Sequence, residues 1–81
     1  MKPDFTTLKI EEKESIAFLT LNRPKRLNAL SGTCLKELAT AAHWFNAQKH
    51  IKVVIIRGAG RAFSAGADIH DFPNNPNESE S

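Results

Sequence analysis

The sequence holds one cysteine, no apolar run of membrane-spanning length and almost no net charge. Each shortage removes a class of protein. A lone thiol, Cys34, cannot build an internal disulfide framework, and it suits a reducing compartment. It falls within a predicted helix, where a structural thiol is the expected reading. A bilayer span needs about 18 consecutive apolar residues, and none is present. A charge of +2 lacks the strongly basic character of a nucleic-acid-binding domain, so neither nucleic acid nor membrane is an expected partner. The opening "MKPDFTTLKIEEKE" has no apolar h-region, and its acidic residues are unlike a transit peptide. The closing "ESES" is not a peroxisomal address. The default compartment is therefore cytoplasmic. No internal repeat is visible, and 81 residues make at most one domain, of a size that hides only about 60% of the surface its unfolded chain exposes.

What is present reads as an α/β pattern. Leu8 and Ile10 alternate with polar neighbours, "EEKES" is a charged turn, and Ile16 to Leu21 is a second strand, so the first stretch is a hairpin. Pro24 breaks the second strand, because it has no N–H and biases Arg23 to an extended conformation. Ser31 or Thr33 can cap the helix that follows. Leu35, Leu38, Ala42 and Phe45 form one apolar stripe at helical spacing, with Trp44 on a flank and Lys36, Glu37, Thr40 and Gln48 outward. The helix should end near Lys49, where basic residues suit the negative end of the dipole. "VVIIRG" is an unbroken run of β-formers that implies a strand buried on both faces. Strand, helix and strand together imply a crossover with the two strands parallel. Past Phe72 the chain is polar and proline-rich, so residues 72–81 are expected to be a disordered tail.

Several stretches could carry chemistry. "GAGRAF" has Phe63 where a dinucleotide-binding G-x-G-x-x-G needs its last glycine, so Gly58 and Gly60 read as a tight turn rather than a phosphate cradle. "AFSAG" approaches the nucleophile elbow G-x-S-x-G, with Ala62 in place of the first glycine. Six residues separate Arg57 from Ser64, too many for a sharp turn straight off a strand, so a serine hydrolase is disfavoured. Asp68, His70 and Asp71 lack the spacing of a closed metal site, and no metal is expected. Arg23, Lys25 and Arg26 sit at the end of a strand, where α/β sheets often bind ligands; they are either plain surface charge or an anion contact. "SAGAD", from Ser64 to Asp68, is a loop of small side chains. Such a loop leaves backbone N–H groups accessible, and donors aimed at a carbonyl oxygen form an oxyanion hole.

In combination, "LTLNRPKRLNAL", a helix and "VVIIRGAGRAFSAGADI" resemble the start of the enoyl-CoA hydratase/isomerase (crotonase) family, over roughly residues 8–71. The resemblance implies a partial ββα spiral core, made of the hairpin, the helix and the buried parallel strand. It implies an acyl-CoA thioester as ligand, with coenzyme A as part of the substrate and no separate cofactor. By position, the Ala65 N–H would be one oxyanion-hole donor and Gly66 would allow close approach. Ala67, Asp68 and Ile69 would border the adenine and pantetheine path. Arg26, Leu27 and Ala29 would line the other side, with Arg26 near the phosphates. In the family the second donor, the proton-transferring carboxylates and the helices used in trimeric or hexameric assembly lie farther along the chain. Residues 1–71 are thus expected to be the truncated N-terminal part of such a domain, and catalysis by this chain alone is not expected. Which reaction of the family applies is left open. The alternative is a non-catalytic module that binds CoA weakly or pairs with a longer homologue, which would leave Val53 to Ile56 exposed unless a partner covered them.

Overall fold

The computed structural model describes residues 2–66. Strand β1, Leu8–Lys13, and strand β2, Ile16–Leu21, pair antiparallel from Leu8 opposite Leu21 to Lys13 opposite Ile16. Only Glu14 and Ser15 join them, and Glu14 takes a positive φ of 57°, as tight hairpin loops require. Helix α1, Gly32–Ala47, leads to strand β3, Val53–Gly58. β3 lies parallel to β2, with Ile16 opposite Val53 and Leu21 opposite Gly58. The sheet order is β1-β2-β3, so the hairpin, the crossover helix and the parallel pairing are all as the sequence implies. Among the described residues no helix is long and apolar enough to cross a membrane.

The core lies between α1 and one face of the hairpin. Leu8, Ile10, Leu19 and Leu21 meet Cys34 and Ala41, and Phe5, Leu30, Leu38, Trp44 and Phe45 close the margins. Trp44 and Phe45 meet edge to face at 5.2 Å between centroids, a favoured aromatic geometry. Ser31 caps α1, its hydroxyl accepting from the Cys34 N–H at 3.1 Å. The helix stops at Ala47, short of Lys49. The Gln48 N–H bonds the Phe45 carbonyl at 3.0 Å, and its side-chain amide bonds the Trp44 carbonyl at 3.0 Å. Gln48 therefore satisfies carbonyls that the helix end leaves open.

Three expectations need correction. The buried stripe of α1 is Cys34, Leu38, Ala41 and Phe45; Leu35 is 52% exposed and Ala42 is exposed as well. Two stripes share Leu38 and Phe45, and the small residues Cys34 and Ala41 let the helix sit close where Leu35 would hold it off. Glu37 does not face solvent freely. Its carboxylate accepts from the N–H and hydroxyl of Thr6 at 2.9 and 3.1 Å and of Thr7 at 2.8 and 2.6 Å. Burial would raise its pKa, but these four hydrogen bonds outweigh that effect and hold the carboxyl below its ordinary value. Finally, β3 is not buried on both faces, since Val53, Val54, Ile55 and Ile56 are 36–52% exposed. The core cluster that includes Cys34 and Ala41 of α1 takes its strand residues from β1 and β2 and, among the described residues, none from β3.

Candidate functional site

Two loops leave the sheet at the same end because β2 and β3 are parallel and finish opposite one another, Leu21 against Gly58. Such a place, beyond the carboxyl ends of parallel strands, is where ligands bind in open α/β sheets. The loop after β2 runs through Asn22 and Arg23 into a single 3-10 turn, Pro24–Arg26. It then takes two consecutive left-handed residues, Leu27 at φ 52° and Asn28 at φ 55°. Such a conformation is uncommon for leucine and tolerated by asparagine.

The loop after β3 is pressed against its neighbour. The Ala59 N–H bonds the Leu21 carbonyl at 2.8 Å. A Cβ at Gly58 would meet the Phe63 carbonyl oxygen and lie 2.5 Å from that of Ala62. Gly60 has φ +80°, and a Cβ there would sit 2.9 Å from the Pro24 Cβ. Both glycines thus answer to chain packing, which supports the tight-turn reading over a phosphate cradle.

Backbone bonds join the two stretches that the family resemblance places on opposite sides of a ligand. The Ala65 N–H donates to the Leu27 carbonyl at 2.8 Å, and the Leu30 N–H donates to the Gly66 carbonyl at 2.7 Å. The Ser64 hydroxyl donates to the Asn28 carbonyl at 2.8 Å and accepts from the Gly66 N–H at 3.0 Å. With its one proton given to a carbonyl, that hydroxyl is a loop-closing group rather than an activated nucleophile.

The Ala65 amide N–H is thus taken up by the Leu27 carbonyl in this structure, since one N–H makes one good bond. Its residue is nonetheless exposed beside the half-buried Gly66, whose φ is +90°. Leu27 is half-buried and Ala29 is buried, 9% exposed. Arg26 is exposed and, with Asn22, Arg23, Pro24 and Lys25, lines an open cleft of about 320 Å³. The Arg23 guanidinium bonds the Ala29 carbonyl at 2.9 Å, bracing the loop. Ala67, Asp68, Ile69, His70 and the expected polar tail at 72–81 lie outside the described residues. Among the described residues no three potential ligand side chains gather around a metal position.

Asn28 is the residue that sequence reasoning passed over, although its neighbours Arg26, Leu27 and Ala29 were selected. It is 1% exposed. Its Oδ1 accepts from the Arg23 N–H at 2.8 Å, and its Nδ2 donates to the carbonyls of Ala59 and Ala62, each at 2.8 Å. An asparagine following a strand break, able to adopt positive φ, was the available signal.

Residues 11–81 match the protein-family model described as enoyl-CoA hydratase/isomerase. The chain is 48% identical over 60 residues to 3-hydroxyisobutyryl-CoA hydrolase 1 of Arabidopsis thaliana, an alignment covering 74% of this chain and 16% of that protein. The crystal structure of an enoyl-CoA hydratase/isomerase from Xanthobacter autotrophicus Py2 matches with a TM-score of 0.79 at 40% identity, covering 83% of this chain and 25% of that one. The enoyl-CoA hydratase of Mycobacterium tuberculosis H37Rv matches with a TM-score of 0.77 at 38% identity, covering 82% and 30%. The chain thus spans between 16% and 30% of the length of these relatives.

Proposed function

Because the chain belongs to the enoyl-CoA hydratase/isomerase family, we propose that its two paired loops bind an acyl-CoA thioester as part of an enzyme that stabilises an enolate-like intermediate. The observation that carries this reading is the direct bonding of residues 27–30 to residues 64–66. It places a cationic turn beside a loop of small side chains. Lys25 and Arg26 face the CoA phosphates, and the cleft they line takes the anionic end of the ligand. Leu27 and Ala29 line the side of the CoA path opposite the small-residue loop. Gly66 gives the thioester room to approach.

Within "SAGAD" the N–H groups of Ala65 and Gly66 are bonded internally. The oxyanion role we propose for the Ala65 amide therefore needs its bond to Leu27 to open as the thioester enters, and Ala67, Asp68 and Ile69 would border the CoA path as in the family this chain belongs to. Proton transfer needs a carboxyl within hydrogen-bond reach of the reacting carbon. Glu37 does not supply it, because its oxygens are held by Thr6 and Thr7. The described residues accordingly bind and orient, and the proton-transferring groups belong to other parts of the site.

Calorimetric titration with a short-chain 2-enoyl-CoA tests the reading. The chain should bind, and Lys25→Ala with Arg26→Ala together should weaken binding by about tenfold, each exposed charge contributing at most about 1 kcal/mol. No heat and no saturation with the wild-type chain would overturn it. A second reading, a module that associates with a partner through β3, is favoured by one observation, the exposure of Val53 to Ile56. It predicts concentration-dependent association with no response to acyl-CoA.

A further inference from the structure

We infer that Asn28 is a positioning residue that couples the cationic turn to the thioester-facing loop, an inference that rests on reading these loops as the acyl-CoA site. Its hydrogen bonds run in two directions. Toward the turn, Oδ1 takes the Arg23 N–H at 2.8 Å, and the Asn28 N–H bonds the Arg23 carbonyl at 2.9 Å. Toward the other loop, Nδ2 reaches the carbonyls of Ala59 and Ala62. The Asn28 carbonyl receives the Ser64 hydroxyl, which in turn holds the Gly66 N–H. The buried side chain therefore ties Arg23 to Ala59 and Ala62, and the backbone carbonyl of the same residue extends the path through Ser64 to Gly66.

The backbone supports the same assignment. Two successive non-glycine residues at positive φ, Leu27 and Asn28, are held in a sparsely populated conformation. Such conformations persist only where the surroundings over-determine them, and they gather at ligand clamps. The turn delivers the Leu27 carbonyl to the Ala65 N–H at 2.8 Å and the Asn28 carbonyl to Ser64. No other residue type matches the demand. The position requires positive φ together with an acceptor and two donors on one short planar group, which is the inventory of asparagine.

Asn28→Asp separates the two directions. It keeps the shape, the tolerance of positive φ and the acceptor for Arg23, but it has no amide donors for Ala59 and Ala62. Amide hydrogen exchange on the ligand-free chain provides one readout. The Ala65 and Leu30 amides should exchange about tenfold faster, roughly the loss of one net hydrogen bond, while the Ile10 and Leu19 amides stay within about twofold. Chemical-shift titration with a 2-enoyl-CoA provides the other. In the wild type, the Lys25–Arg26 and Ala65–Gly66 amides should follow one saturation curve. In Asn28→Asp the first pair should still respond and the second should not.

A residue with only a general structural role would instead lose both responses and speed exchange throughout the hairpin. Unchanged exchange at Ala65 and Leu30 would overturn the inference. A wild-type chain that ignores acyl-CoA would defeat the ligand reading, and the exchange measurement would then decide the positioning role by itself. If Asn28→Asp does not fold, Ser64→Ala tests the same path from its far end. It should accelerate exchange at Gly66 while sparing Leu19, and no acceleration would again overturn the inference.

Discussion

The hairpin and β3 are built from the same kinds of side chain and meet opposite fates. Leu8, Ile10, Leu19 and Leu21 are 4–7% exposed, whereas Val53, Val54, Ile55 and Ile56 are 36–52% exposed. β-Propensity and backbone pairing serve both, since β3 pairs with β2 along its whole length. The difference is what lies across the sheet. α1 sets Cys34 and Ala41 against the hairpin, and nothing among the described residues lies over β3 in the same way. An apolar run therefore specifies a strand, while burial is specified by the element that packs on it.

Core truncation probes this contrast most strongly. Leu19→Ala should cost about 2–5 kcal/mol by lost burial and the cavity left behind, whereas Ile56→Ala should cost less than about 1 kcal/mol. Urea titrations of the two variants check the difference. Equal losses would show that β3 is covered in solution, and the contrast would fail.

A middle-sized effect sharpens the picture at the end of β3. Gly58→Ala places a methyl 2.5 Å from the Ala62 carbonyl oxygen and should cost about 1–3 kcal/mol through overpacking. Its signature is local, with amide shifts concentrated in residues 59–66 rather than in β1. Shifts spread evenly over the hairpin would mean that the two regions are not separable.

The smallest effect concerns the clasp between α1 and the start of β1. Glu37 has a folded-state pKa below its ordinary value. Its contribution is therefore complete above the unfolded carboxylate pKa and is lost as pH falls through the depressed folded value. The Glu37→Gln chain should be less stable near neutral pH, by about 1 kcal/mol for a solvent-screened group, and its stability should fall less on acidification. Parallel acid-unfolding curves for the two chains would refute the clasp.

Much of the fold was legible in sequence because it rests on local rules. Alternation at Leu8 and Ile10, Pro24 after a strand, Ser31 before a helix and the run from Val53 to Ile56 each report a nearby cause. The misreadings have non-local causes. The stripe of α1 was read through Leu35 and Ala42, whereas the close approach to the sheet buries the smaller Cys34 and Ala41. The Glu37 clasp joins positions about 30 residues apart, and periodicity carries no trace of it.

The site divides in the same way. The stretches 26–29 and 64–66 were recognisable as motifs, and the structure brings them together. The bonding that joins them was not legible, because it depends on two left-handed residues and a buried amide whose partners lie 31 and 34 positions away. The bond of the Ala65 N–H to the Leu27 carbonyl was not legible for the same reason, since only the folded chain supplies that carbonyl.

The central claim, that the paired loops bind an acyl-CoA, is tested most directly by a two-dimensional amide NMR spectrum recorded with and without a 2-enoyl-CoA. Dispersed peaks with saturable shifts at Lys25, Arg26, Ala65 and Gly66, and little change at Ile10 or Leu19, are the predicted result. A folded spectrum unmoved by the ligand, or one that moves only along β3, would contradict it.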